Sequence, residues 1–438
     1  MDCLKNKHGE RFVQIELLSI NMVKTVAIVG AGPAGLMAAE VLATAGISVC
    51  IYDAMPSAGR KFLQAGRGGL NITHSASFDS FISVYGQAQF WLQPVLTAFG
   101  SEQLQRWVHS FAIDTFVGSS GRIFPTDKKA APLLRAWIHR LKSLNVQFKM
   151  KHRLLDIKDD RQLVFMTANG QNTVQAADAI ILALGGGSWA QLGSDGKWVS
   201  MLSAKGIAVN PLRPANCGFD VVWSHFIKEK FAGKPLKGVV LSFSDSQYQT
   251  YSQKGELMLT KTGLEGGLIY HFSALLRDEL EKNNSVTVYL DLMPDWSVEL
   301  LIRALSKPKG SKTLNNWLRT QLGLSPQAIA LLHEIESKMQ LKLPTALATL
   351  IKSLPIKLIA TRPINEAIST AGGVMQSSLT NELMLKQHEG VFCAGEMLDW
   401  EAPTGGYLLT AVFSTGAWVG QSVLNWLNKH ENNGTNFS

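Results

Sequence analysis

Cysteine is scarce in this chain: four thiols in 438 residues, at Cys3, Cys50, Cys217 and Cys393. None is spaced as C-x-x-C, so the sequence offers no dithiol redox centre and no disulfide framework, and it points to a reducing compartment. Long apolar runs are missing as well. No stretch approaches the roughly 20 residues of a membrane-spanning helix, and residues 1–22 lack the uninterrupted apolar segment of a secretory leader. The expectation is a cytoplasmic protein with no membrane partner. No internal repeat or low-complexity segment is visible, and no metal site is expected. The net charge is +8, yet no dense Lys/Arg run is interleaved with aromatics, so nucleic acid is not expected as a partner. The basic run at residues 307–312, KPKGSK, reads as a solvated linker.

What is present is a large apolar content, 46% against 17% charged, which suits a globular protein with a sizeable core. The length suggests two or three domains. Residues 23–53 set the organisation. Residues 26–29 are a β-branched apolar run and read as a buried parallel strand. Gly30, Gly32 and Gly35 follow as G-x-G-x-x-G. Helical periodicity continues through Leu36, Ala39, Val41 and Leu42 until Gly46 ends it. Residues 47–52 form a second strand, with Asp53 at its end.

Each part of that unit has a physical purpose. Gly30 permits the tight turn, Gly32 lets a pyrophosphate approach the backbone, and Gly35 lets the helix pack against the sheet. The helix start offers free N–H groups, Ala34 among them, and a positive dipole end to phosphates, and Pro33 at its first turn gives up no needed donor. Asp53 can accept hydrogen bonds from a ribose diol. Strand, glycines, helix, strand and acid in that order indicate a dinucleotide-binding βαβ unit.

Residues 54–75 continue it with a glycine-rich, basic loop. Ala54, Gly59, Arg60, Lys61, Gly66 and Arg67 sit where backbone and charge can cradle the same ligand, and long glycine-rich loops inside compact domains are usually functional. Residues 78–117 read as helical, 130–144 as an amphipathic helix, and 152–157 with 163–167 as a hairpin. Residues 177–187 form another buried strand ending in glycines, Gly185 among them. Short alternating segments over 190–260 suggest a small antiparallel sheet or barrel, and 264–352 reads as mostly helical. Near the C-terminus a strand at 391–394 ends in Gly395-Glu396. Thr404-Gly405-Gly406-Tyr407 then begins a helix to about residue 427, a second anion-facing terminus.

These motifs resemble the glutathione-reductase-like FAD superfamily. Within it the chain is similar to the BaiN-like, or aminoacetone-oxidase-family, NAD(P)/FAD-dependent oxidoreductases. The resemblance is carried by residues 30–35 (GAGPAG), 59–61 (GRK), 71–73 (NIT), 371–374 (AGGV), 394–399 (AGEMLD) and 404–407 (TGGY), and it spans nearly all of residues 23–427. It implies an α/β fold, a Rossmann-type FAD-binding domain with an inserted β-barrel-like domain and a helical subdomain. The corresponding boundaries are an extension at 1–22, an FAD domain at 23–190 and 360–430, a barrel-like insertion at 191–263 and 340–359, and a helical insertion at 264–339. It implies FAD as cofactor, with Asp53 at the adenosine ribose and residues 30–35 at the pyrophosphate. Leu154 would present its backbone to the adenine, Glu396 would reach the ribityl and phosphate region, and residues 404–407 would lie beside the isoalloxazine. Asn71 and Thr73 join the cradle. Related enzymes read Gly-Gly-Gly-Arg-Cys-Asn where this chain has residues 66–71, GRGGLN, so Leu70 replaces the family cysteine and Arg67 stands in for the charge.

One complete G-x-G-x-x-G unit is present, so an enzyme with its own NAD(P)H domain is not expected, and with no redox Cys pair neither is a disulfide reductase. The leading reading is an FAD-dependent oxidoreductase passing a hydride between flavin and a small organic substrate, with NAD(P)H compatible as a transient electron donor. Candidate catalytic groups are Arg67, Asn71, His74 and Tyr407. The alternatives are an FAD-dependent RNA-modifying enzyme and a non-catalytic FAD-binding redox sensor. Oligomeric state is not encoded in any motif. Because no thiol is paired, a variant with Cys3→Ser, Cys50→Ala, Cys217→Ser and Cys393→Ala is expected to bind FAD and to be reduced by the same donor as the parent. A fall in anaerobic flavin reduction beyond about 100-fold, roughly 2.7 kcal/mol of barrier, would show that a thiol takes part.

Overall fold

The computed structural model describes residues 24–336, 341 and 343–434; the expected N-terminal extension, with Cys3, lies outside them. Five parallel strands form the central sheet. Their spatial order is Val391–Cys393, Ala179–Leu182, Thr25–Val29, Ser48–Asp53 and Gln147–Met150. Ile28, Ile51 and Ile181 are fully buried, which explains why these strands read as continuous apolar runs: both sheet faces are covered. The helix Pro33–Thr44 follows the first strand, and the helix Tyr407–Gly434 packs beside it.

Three antiparallel additions surround this sheet. Thr73–His74, Arg122–Pro125 and Thr115–Val117 form one, and Arg153–Lys158, Gln162–Met166 and Asn172–Ala176 form another. The third is a seven-stranded sheet running from Leu354–Leu358 through Val286–Asp291, Lys234–Ser244, Thr250–Leu259, Gly263–Glu265 and Phe219–Asp220 to Ala360–Thr361. The helix Gly267–Asn283 packs on it.

Two separate hydrophobic cores result. One gathers buried residues from 26–207 and 374–427, the other from 217–367. The helices after residue 264 share the second core with the large sheet: Leu276 and Leu331 belong to the same buried cluster as Leu241 and Val288. Between the cores, Val209–Ala215 pairs antiparallel with Ser369–Val374. Residues 78–117 are not one helical run. They divide into Phe78–Ser83, Gln89–Ala98 and Ser101–His109, followed by the strand Thr115–Val117. The break before Ser101 has a clear cause: Gly100 is extended, and its N–H donates to the Gln103 side chain at 3.1 Å, a local cap that starts a new helix. Among the described residues no helix is long and apolar enough to cross a membrane.

Glu40, on the helix Pro33–Thr44, ties three elements together. It accepts from Trp107 Nε1 at 3.1 Å, Trp137 Nε1 at 2.6 Å and Arg140 Nη1 at 2.9 Å. Trp137 is wholly buried, so its N–H has no recourse to water once the acceptor goes. Glu40→Ala is therefore expected to cost about 2–4 kcal/mol, read as a lowered urea midpoint of the tryptophan-fluorescence transition. A loss under about 0.5 kcal/mol would place Glu40 among ordinary surface substitutions.

Candidate functional site

Among the described residues, a cavity of about 1010 Å³ opens where the C-terminal ends of the parallel strands meet the second core. This is where ligands bind in open α/β sheets, because the chain turns leave a crevice there. Gly30, Gly32, Pro33 and Ala34 form one wall; Asp53, Ala54, Gly59, Arg60 and Lys61 continue it. Leu154, Gly185, Gly395, Glu396, Thr404, Gly405, Gly406 and Asn71 also border it. The chain thus brings most of the sequence-predicted residues to one place, from segments more than 300 residues apart.

The glycines divide by role. Gly30 has φ +114° and a Cβ there would collide with the Ala183 carbonyl; a Cβ at Gly35 would collide with the Gly30 carbonyl. Both are needed for the strand, turn and helix to lie close together. Gly32 differs: a Cβ would meet nothing within 4 Å, and the residue borders the cavity. A wall stripped of side chains at a helix N-terminus fits a ligand phosphate at contact distance. On the opposite side Gly405 and Gly406 have φ of +134° and +92° and lead into the C-terminal helix, so a second helix N-terminus faces the same space.

Asp53 is held before any ligand arrives. Its Oδ2 accepts the Ala31 amide and its Oδ1 the Met55 amide, each at 2.7 Å. Burial raises the carboxyl above its ordinary value, and the two amides oppose that shift. Lys61 Nζ donates to Glu396 Oε2 at 2.5 Å and to Ser188 Oγ at 2.6 Å. The Thr370 amide donates to Glu396 Oε1 at 3.1 Å. Asn216 grips the far wall: Nδ2 donates to the Ala402 carbonyl at 2.8 Å and Oδ1 accepts the Thr404 amide at 3.0 Å.

The four catalytic candidates fare differently. Asn71 borders the cavity, but its Nδ2 is spent on the Thr73 and Ile123 carbonyls. Arg67, His74 and Tyr407 are outside the lining. Arg67 is exposed. The His74 and Tyr407 rings stack at 5.0 Å, and His74 Nδ1 accepts the Ala76 amide. Thr73, Gly35 and Gly66 also stand behind the wall: Thr73 is buried with Oγ1 accepting from Thr410 Oγ1 at 2.9 Å, and Gly66 packs on Ala130. The cavity also recruits residues that no motif announced. Ser194, Asp195 and Lys197 border one end, with Asp195 paired to Arg153 at 2.7 Å; Gly267 and Tyr270 reach in from the second core. The Gly193-Ser194-Asp195-Gly196 turn carried a readable signal, since an acid between glycines at a strand-following turn is a loop signature. Tyr270 carried none. Cys217 and Cys393 are buried, Cys50 is half-buried, and burial raises all three thiols.

Comparison with known proteins gives a family. The profile of the HI0933-like protein Rossmann domain matches residues 24–422. The chain is 25% identical over 410 residues to a 3-dehydro-bile acid delta(4,6)-reductase of Clostridium scindens, covering 91% of this chain and 98% of that one. It is 22% identical over 401 residues to a ribosomal RNA dihydrouridine synthase of Escherichia coli, covering 90% and 96%. Among solved structures, the fold is like that of a 3-ketosteroid delta1-dehydrogenase from Sterolibacterium denitrificans, with a TM-score of 0.52 at 12% identity over 92% of this chain and all of that one.

Gly32→Val is expected to fold like the parent, since φ at Gly32 is −81° and the space beside it is open, yet to retain no FAD. Gly35→Val is expected to lose the fold, through its clash with the Gly30 backbone. Circular dichroism and flavin absorbance on the purified variants separate the two outcomes. A Gly32→Val protein with stoichiometric flavin would place the phosphates elsewhere.

Proposed function

The chain belongs to the family of HI0933-like Rossmann-domain proteins, and from that premise we propose that it is an FAD-dependent oxidoreductase that reduces a carbon–carbon double bond conjugated to a carbonyl. The observation that carries this reading is the convergence of two helix N-termini, a side-chain-free wall at Gly32 and the pre-held Asp53 carboxylate on one cavity capped by a second core. The residues fit FAD. Residues 32–34 would receive the pyrophosphate, Asp53 the adenosine ribose, and the Leu154 backbone the adenine. Lys61 and Glu396 would meet the ribityl and phosphate region, and residues 404–406 the isoalloxazine. When bound, FAD supplies reversible hydride exchange.

The protein's own contribution is placement. Asp53 would accept ribose hydroxyls while keeping its two amide anchors, so its acceptor direction is set in advance. The second core borders the cavity on the side of Gly267 and Tyr270. The two curated relatives are named for different substrates, a bile acid and a ribosomal RNA. Both names describe reduction of a ring double bond next to a ring carbonyl, and that shared chemistry is the proposed reaction class. A small ring enone is the leading substrate. A uracil carried by RNA is the second reading, favoured by the dihydrouridine synthase likeness. NAD(P)H would act as a transient donor, entering the same cavity before the substrate.

The test is direct. Purified protein is expected to carry one FAD per chain, to bleach anaerobically with NADH or NADPH, and to recolour on adding a 3-oxo-Δ4,6 bile acid or a uridine-containing ribosomal RNA fragment. Asp53→Ala should weaken FAD roughly ten- to a hundred-fold, for hydrogen bonds to a charged group worth about 1.5–3 kcal/mol. Protein that binds no FAD on reconstitution would overturn the cofactor, and reduced protein that neither acceptor recolours would overturn the reaction class.

A further inference from the structure

The helix Gly267–Asn283 faces two ways. Leu268, Ile269, Phe272 and Leu276 are buried in the second core. Tyr270, Ser273 and Arg277 recur at three- and four-residue spacing and share a neighbouring stripe. That stripe is anchored along its length. Ser273 Oγ accepts the Cys217 amide at 3.2 Å. Arg277, only 1% exposed, donates to the Pro214 carbonyl at 3.1 Å and to both Glu401 oxygens at 3.0 and 2.7 Å. Glu401 leads into Thr404, so the helix is fixed to the segment that forms the far wall of the cavity. Tyr270 is the point at which this stripe reaches the cavity.

A conjugate reduction needs a proton as well as a hydride, and several of the titratable groups that line the cavity are already engaged. Lys61 is committed to Ser188 and Glu396. Asp53 already accepts two amides. Lys205 is paired with Asp156 at 2.7 Å. Tyr270 brings the one titratable side chain that the second core contributes to the lining among the described residues.

We propose that Tyr270 is the proton donor of the reduction. A hydride from a two-electron donor, reduced FAD on the reading above, bonds to the β-carbon, and the π pair moves toward the α-carbon and its carbonyl. The Tyr270 Oη–H bond breaks, its proton bonds to the α-carbon, and the phenolate recovers a proton from water. One double bond is lost and two C–H bonds form. The inference rests on the proposed reaction class. Burial, reinforced by Glu265, pushes the phenol up to about 12, so the group is a protonated donor at neutral pH. The Gly266 amide acts the other way and favours the phenolate, which is the species the transfer leaves behind.

The test uses full-length, FAD-loaded Tyr270→Phe, a change of one oxygen. Parent and variant are photoreduced anaerobically and mixed in a stopped-flow instrument with a 3-oxo-Δ4,6 bile acid, and in a second series with a uridine-containing ribosomal RNA fragment. The expected result is FAD affinity within about two-fold of the parent, an unchanged half-saturating acceptor concentration, and a limiting reoxidation rate at least about 100-fold lower. The parent should also slow in D2O, because a proton is in flight. A merely structural role would raise the half-saturating concentration instead. A Tyr270→Phe limiting rate equal to the parent's would overturn the proposal while leaving the reaction class intact. Parent protein that neither acceptor reoxidises would overturn the reaction class, and this step with it.

Discussion

The close approach of two helices, Pro33–Thr44 and Tyr407–Gly434, governs the geometry of the site. Ala34 is the point of contact. A Cβ at Gly416 would collide with the Ala34 carbonyl, one at Gly395 would lie 2.9 Å from the Ala34 Cβ, and one at Gly420 would lie 2.8 Å from the Val41 Cβ. Small residues here let two backbones pack at near-contact distance, where dispersion gains are dense. The consequence is electrostatic. Each helix start carries roughly half a positive charge, and packing the helices this tightly brings both starts, at Gly32 and Gly406, to one cavity. Together, in a buried crevice, they favour an extended anion.

The second core completes the site by leverage. It touches the cavity through a short stretch of one helix, yet its position is fixed by polar contacts that span the boundary. Arg277 holds Glu401, and Asn216 holds Ala402, Thr404 and, through Nδ2 at 2.7 Å, Ser369 Oγ. Residues 402–406 are therefore set from both cores at once. The ladder of Val209–Ala215 with Ser369–Val374 carries the chain between them.

How much of this was legible follows from the range of the signals. The nucleotide unit at 25–53 was legible because strand, turn and helix signals lie within thirty residues and each glycine has a local steric reason. The second glycine-bearing helix start at 404–407 was legible for the same reason. The strand Asn172–Ala176 was missed because it is mostly exposed, so no apolar alternation marks it. The strand Val209–Ala215 was hidden by Pro211 and Pro214, which argue locally against a strand; Pro211 falls where the register shifts between Asn210 and Arg213, while Pro214 stays in register opposite Thr370. Tyr270 was invisible because its place at the cavity comes from the fold of a distant helix against the first core. A tyrosine in a mostly apolar helix has the local pattern of a core residue.

The same contrast explains the bridge between Lys61 and Glu396. The Lys61 side chain is 27% exposed and that of Glu396 8%, so bringing the pair together sacrifices hydration that Coulomb attraction in a low-dielectric site need not fully offset. As a stability device it is poor. As a device of position it is economical. Glu396 also takes the Thr370 amide, and Thr370 Oγ1 accepts the amides of Gly187 and Ser188 at 2.9 and 3.2 Å; Ser188 closes the circuit by accepting from Lys61. Four segments remote in sequence are thereby set in one register at the cavity floor. Each buried polar atom in the ring has a partner, the condition under which such a network rigidifies a site. Replacing the pair with apolar residues of similar volume would remove the desolvation cost, but would leave the Thr370 amide without its acceptor and the floor without a fixed charge pattern. The pair is best understood as the feature that fixes the polar pattern of this part of the cavity wall.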